Sequence, residues 1–204
     1  MKAVLITGAS AGIGEEFARQ LAVQGNNLVL AARRLDRLET LASELRQRHN
    51  LEVVCIASDL ALAGAAEKLV ADMATHNVEL TGLINNAGWA LRGSVEDTAP
   101  DEWDKEISVN LRGHFLCAKA VLPGMVRQGR GTIVNISSVE GRIGTPFSGG
   151  YAASKFALEG LSESLRVGLW PLRVRVFLVE QGDFPTGLQS NQVIAERADF
   201  RDLS

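Results

Sequence analysis

Tyrosine occurs once, cysteine twice and proline five times in 204 residues. The two cysteines, Cys55 and Cys117, lie far apart in apolar surroundings. That separation argues against both a disulfide framework and a closely spaced metal-ligating pair, so they read as reduced core thiols and no metal site is expected. No proline- or glycine-rich tract divides the chain, and one domain spanning residues 1–204 is expected. An excess of positive charge is also missing. Twenty-one Lys and Arg against 24 Asp and Glu leave a net charge of −3, without the basic footprint that nucleic acid or an anionic membrane requires. No segment approaches the ~18–20 consecutive apolar residues of a membrane helix. The apolar run Ala3–Ile6 after Lys2 stops at Thr7 and Gly8, too short for a secretory leader. These features predict a soluble, cytoplasmic protein with neither a nucleic-acid nor a membrane partner.

What is present is alternation. The apolar runs Ala3–Ile6, Leu28–Ala32, Val53–Ala57, Leu80–Ile84, Thr132–Ile136 and Val174–Val179 read as buried strands. Between them, apolar residues three or four apart predict helices over Gly14–Gln24, Arg37–Arg48, Gly64–His76, Asp101–Gln128 and Tyr151–Gly168. Asp36 with Glu39 reads as a capping-box start, and Thr98 with Pro100 precedes the long fourth helix. Six strands alternating with helices predict an α/β fold, a Rossmann-type doubly wound parallel sheet with helices on both faces.

The first strand runs directly into Thr7-Gly8-Ala9-Ser10-Ala11-Gly12-Ile13-Gly14 and then a helix. In that context glycines let the backbone approach a pyrophosphate, which then meets the helix N-terminus. The second strand ends at Arg33 and Arg34, where an acid would bond the ribose 2′-hydroxyl of NAD and an arginine would accept the 2′-phosphate of NADP. Asp36, the nearest acid, is assigned to the helix start, so NADP(H) is the expected cofactor, with NAD(H) possible.

Tyr151 and Lys155 stand four apart at a helix start, so their side chains project from one face. A free phenol, with a pKa near ~10, exchanges protons poorly at neutral pH unless a cation stabilises the phenolate. Lys155 is that cation in this reading, and the phenol is expected well below its ordinary value. Ser138, thirteen residues earlier at a strand end, is placed to hold a substrate oxygen. Ser137 is its rival.

Taken together, Thr7-Gly8-x-x-x-Gly12-x-Gly14, Asn85-Asn86-Ala87-Gly88, Asn110, Ser138 and Tyr151-x-x-x-Lys155 resemble the classical short-chain dehydrogenase/reductase family across nearly the whole chain. The resemblance implies that Tyr151 is the catalytic acid/base, that Ser138 positions the carbonyl, and that Lys155 binds the nicotinamide ribose and lowers the tyrosine pKa. Asn110 would interrupt the long helix and serve a structural and proton-relay role. Gly8, Ser10, Gly12, Ile13 and Gly14 would line the pyrophosphate and ribose. Asp59 and Leu60 would meet the adenine, and Asn86 and Gly88 would flank the cofactor. A homodimer through helices 101–128 and 151–168 is implied as well.

Two departures from the family stand out. Gln181 occupies the place of a proline in Gln181-Gly182-Asp183-Phe184-Pro185-Thr186, where Thr186 is the residue expected at the carboxamide. The sequence also stops at Ser204, where the family continues into a further helix and strand, so the strand Val174–Val179 is expected at a sheet edge. Trp89, Leu91, Ile143, Pro146 and Phe147 suggest an apolar cleft for a small-molecule carbonyl or alcohol substrate, such as a lipophilic ketone, aldehyde or secondary alcohol. The competing readings are a catalytically silent dinucleotide-binding sensor or scaffold and an NAD-dependent alcohol dehydrogenase of the same family.

Overall fold

Continuous apolar runs become strands buried on both faces, and their order places the cleft. The computed structural model describes residues 1–182 and 193–194. Its strands are β1 (Lys2–Thr7), β2 (Asn27–Ala32), β3 (Val53–Ala57), β4 (Glu79–Asn85), β6 (Gly131–Ser138) and β7 (Val174–Gln181), with β5 (Leu91–Arg92) a short outlier. The six long strands are parallel in the order β3-β2-β1-β4-β6-β7. The winding therefore reverses between β1 and β4, the position at which open α/β sheets form a crevice beyond their strand ends. Among the described residues β7 lies at one end of this sheet. β5 pairs in parallel with β8 (Val193–Ile194) apart from it.

Side-chain alternation divides the core into two layers. Leu5, Val29 and Ala31 point into one, with Leu69, Cys117, Val121 and Met125 from α3 (Ala65–Thr75) and α5 (His114–Gln128). Ile6, Leu28 and Leu30 point into the other, against Ala18 and Ala22 of α1 (Gly12–Val23) and Leu38, Ala42 and Leu45 of α2 (Leu35–His49). Both cysteines are free, Cys117 buried and Cys55 half-buried.

One helix start differs from the sequence reading. α2 begins at Leu35 with Arg34 in the cap position, and no side chain caps it. Asp36 is therefore inside the first turn, where its carboxylate faces the positive end of the helix without closing a cap. Thr98 does not cap the fourth helix, because its hydroxyl donates to the Ser94 carbonyl at 2.7 Å. The cap position falls to Ala99, whose backbone N–H donates to Glu102 Oε2 at 3.3 Å, and Pro100 opens α4 (Pro100–Ile107). The stretch 101–128 is not one helix. A π-helical segment, Ser108–Gly113, joins α4 to α5 and carries Asn110.

Candidate active site

The glycine turn is held from below by a neighbouring strand end. Gly8 and Gly12 adopt positive φ, +67° and +58°, which a β-carbon would oppose. Thr7 Oγ1 donates to the Ile84 carbonyl at 3.3 Å and accepts from the Asn86 and Ala87 N–H groups at 3.0 and 3.1 Å. The Asn86 amide donates to the Thr7 and Gly8 carbonyls at 3.0 and 3.2 Å. Gly14 is required for close packing, since a β-carbon there would lie 2.5 Å from the Gly8 oxygen and meet the Asn86 amide. Asn86 thus shapes the turn as well as lining the cleft above it. Gly8, Ser10, Gly12 and Ile13 line that cleft, whereas Gly14 is buried beneath them.

Arg33 and Arg34 line the same cleft at the end of β2, and Arg34 Nη2 lies 3.4 Å from Ser10 Oγ. Asp59 and Leu60, beyond β3, join them. The Asp59 carboxylate accepts the Ala61 N–H at 3.1 Å, and Leu60 is buried. With positive-φ glycines, two guanidinium groups and no acidic side chain among the residues that line this end except Asp59, the cleft suits an extended polyanion. Gly88 lines its other half.

The chemical end lies where β6 and β7 finish. Ser138 and Gln181 are register partners at those two ends, and α6 (Gly149–Leu169) brings Tyr151 and Lys155 beneath them. Tyr151 is 6% exposed, and the side chains of Ser138 and Gln181 stand beside its phenol. Strand alternation turns Ser137 to the opposite side, where its hydroxyl is buried without a partner among the described residues. The choice of Ser138 over Ser137 as the residue beside Tyr151 therefore has a geometric basis.

Lys155 is fully buried, donates to the Ile136 carbonyl at 2.8 Å, and lies 5.5 Å from the centre of the Tyr151 ring. Burial lowers its pKa to about 8, against the opposing pull of Glu106 and Glu159. The phenol departs from the sequence expectation. Burial raises its pKa above the ordinary value, the hydrogen bonds from Ser138 and Gln181 pull it back, and Glu140 and Glu106 push it further up. The physical reason is first burial, which disfavours the charged phenolate, and then the two carboxylates near the ring.

Asn110 is fully buried and forms a clamp. Its Oδ1 accepts the Trp89 N–H at 2.8 Å, and its Nδ2 donates to the Trp89 carbonyl at 2.8 Å and to Ser154 Oγ at 3.1 Å. Both amide protons are thereby used, so its side chain ties the loop after β4 to α6. Thr186 lies outside the described residues.

Glu106 is a feature that sequence reasoning missed. It is 1% exposed, its Oε1 accepts the Leu91 N–H at 3.0 Å, and a β-carbon at Gly150 would collide with its other oxygen. Burial raises its pKa to about 7, the Leu91 hydrogen bond opposes this, Glu140 adds to it and Lys155 subtracts. Its i+4 spacing to Asn110 was the available signal, since both residues then occupy one helical face. His114 is also buried, and its Nε2 donates to the Ala87 carbonyl at 2.8 Å. Burial holds that imidazole neutral, with its pKa lowered to about 3. Of the five apolar residues expected to form a substrate cleft, Trp89 lines the cavity and Lys105 lies 4.6 Å over its ring. Leu91 is buried, Ile143 is 58% exposed, and neither lines it; nor do Pro146 and Phe147. No group of three or more metal-type ligands gathers among the described residues, and no described helix is long and apolar enough to cross a membrane.

Comparison with known proteins agrees with this geometry. The chain is 37% identical over 193 residues to a 3-ketodihydrosphingosine reductase of Bacteroides thetaiotaomicron, covering 95% of this chain and 68% of that protein. It is 36% identical over 206 residues to dehydrogenase/reductase SDR family member 7B of Bos taurus, covering 97% and 62%. The chain thus spans roughly two thirds of the length of these relatives. A short-chain dehydrogenase from Sphingobium yanoikuyae, solved in complex with NADPH, superposes with a TM-score of 0.87 at 33% identity, covering 93% of this chain and 74% of that one. The family described as short chain dehydrogenase matches residues 2–197, and the chain belongs to it.

Proposed function

We propose that this protein is an NADP(H)-dependent oxidoreductase that interconverts a lipophilic ketone or aldehyde and the corresponding alcohol. The observation that carries the reading is that Tyr151 and Lys155 line one cleft, with Ser138 beside the Tyr151 phenol, and that the far end of this cleft is glycine-lined and guanidinium-bearing. Gly8, Ser10, Gly12 and Ile13 would hold the pyrophosphate, with Gly14 allowing the close turn. Arg33 and Arg34 would take the 2′-phosphate, Asp59 and Leu60 the adenine, and Asn86, Gly88, Tyr151 and Lys155 the nicotinamide half. When bound, the nicotinamide supplies or accepts the hydride.

The protein's own part is orientation and proton transfer. In the reductive direction Tyr151 donates its phenolic proton to the carbonyl oxygen, and the Ser138 hydroxyl donates a hydrogen bond to the same oxygen as negative charge develops on it. A phenol kept protonated by burial is in the correct form to donate. The Lys155 ammonium then lowers the cost of the phenolate left behind. Asn110 contributes by fixing Trp89 at the wall of the site and tying it to Ser154 of α6. The name of the Bacteroides relative specifies a ketone, which agrees with the reductive direction.

The test is a fluorescence titration with NADPH and NADH, followed by turnover of lipophilic carbonyls by the parent and by Tyr151→Phe. Tighter NADPH binding and turnover lost in Tyr151→Phe are expected. Equal or tighter NADH binding overturns the NADP(H) assignment and favours an NAD-dependent alcohol dehydrogenase. Binding without turnover makes the protein a silent dinucleotide sensor. We further propose a homodimer through helices 101–128 and 151–168, which expose Trp103, Phe115 and Phe156 at 41%, 43% and 47%.

A further inference from the structure

We propose that Gln181 is a working member of the active site, donating its side-chain amide N–H to the Tyr151 phenol oxygen and so sharing with Ser138 the orientation of the proton-exchanging group. The inference rests on the functional reading above and extends it to a residue that the family resemblance would assign to proline. Proline could offer no such donor.

Three structural facts place the amide there. Gln181 is the register partner of Ser138 in the parallel β6–β7 pair, and facing residues of adjacent strands project to the same side of a sheet. It lines the cleft that Tyr151 and Lys155 also line. Its Oε1 is buried without a partner among the described residues, so no contact there competes for the orientation of the amide group. The amide is also near enough to the phenol to favour its ionised form.

The chemistry follows from the two protonation states. A neutral phenol can donate to one neighbour and accept from another, whereas a phenolate can only accept. The Gln181 N–H therefore favours the charged form, as does the Ser138 hydroxyl. The other groups facing the phenol are Lys155 from α6, Glu106 from α4 and Glu140 from the turn after β6. Glu159 acts on Lys155, and Glu180, the neighbour of Gln181, is occupied by Arg142 at 2.8 Å. Among these, Ser138 and Gln181 favour ionisation of the phenol, and the carboxylates oppose it.

Tyr151 is the only tyrosine, so its ionisation is read from tyrosinate absorbance without interference. The full chain, Gln181→Leu and Gln181→Glu are titrated without nucleotide, with circular dichroism confirming the folded state at each pH. Gln181→Leu is expected to raise the phenol midpoint by about one pH unit, the size of a lost hydrogen bond to a charged acceptor. Gln181→Glu is expected to raise it at least as far, and decides the matter if the leucine variant does not fold. In carbonyl reduction the phenol must be protonated, so an alkaline fall of kcat set by the phenol moves up with the midpoint. A midpoint unmoved in the folded variants overturns the proposal. A midpoint that moves in a protein that turns over no carbonyl upholds the Gln181 contact and overturns the oxidoreductase reading instead.

Discussion

Replacing Glu106 by glutamine is expected to stabilise the protein at pH 8 and to stabilise it much less at pH 5. The native carboxyl keeps its proton up to about 7, whereas its ordinary value is 4.5. Between those values the native state binds more protons than the unfolded state, so stability is lost as pH rises through the window. The gap between the two values corresponds to roughly 3 kcal/mol at ~1.36 kcal/mol per pH unit. At 1% exposure little solvent screening reduces that figure. The substituted amide would stay neutral at every pH, and its carbonyl oxygen can still accept the Leu91 N–H, so the change removes the ionisation and little else. The assay is urea unfolding of parent and variant at pH 5 and pH 8. The stability difference should widen by about 2–3 kcal/mol in favour of the variant, most of the total, because at pH 5 the unfolded carboxyl is already largely ionised. The same stability difference at both pH values would refute the claim that Glu106 is held protonated by its surroundings. The substitution also removes one of the carboxylates that oppose phenol ionisation, so tyrosinate absorbance should appear at lower pH in the variant.

Gly14→Ala should lower nucleotide affinity about five- to 150-fold, because its β-carbon must displace the Gly8 backbone and the Asn86 amide at an overpacking cost of about 1–3 kcal/mol. Unchanged NADPH affinity in a folded variant would contradict the packing described for the turn. In solution, light scattering at micromolar concentration should return twice the chain mass of 21.9 kDa, and a single-chain mass would overturn the proposed dimer.

Sequence alone determined the sheet and the glycine turn, because both are written in local patterns. Runs such as Leu28–Ala32 are apolar without alternation, which suits a strand covered on both faces, and the Gly8-to-Gly14 spacing follows directly from one such strand. It also brought Tyr151 and Lys155 onto one face, since a four-residue step is a property of the helix itself. Helix starts are less legible: Asp36 has the spacing of a cap, but the helix already begins at Leu35, so Arg34 holds the cap position and Asp36 falls one residue inside the first turn. What the tertiary structure alone decided is electrostatic. The phenol shift has the opposite direction to the one inferred from Lys155, because burial and the nearness of Glu106 and Glu140 come from α4 and the turn after β6, elements remote in sequence. The strand register that sets Gln181 beside Ser138 is likewise a long-range fact. In sequence Gln181 is only a missing proline; in the fold it lines the same cleft as Tyr151. Local periodicity specifies which face a residue occupies, but solvation and charge at a site depend on everything packed against that face.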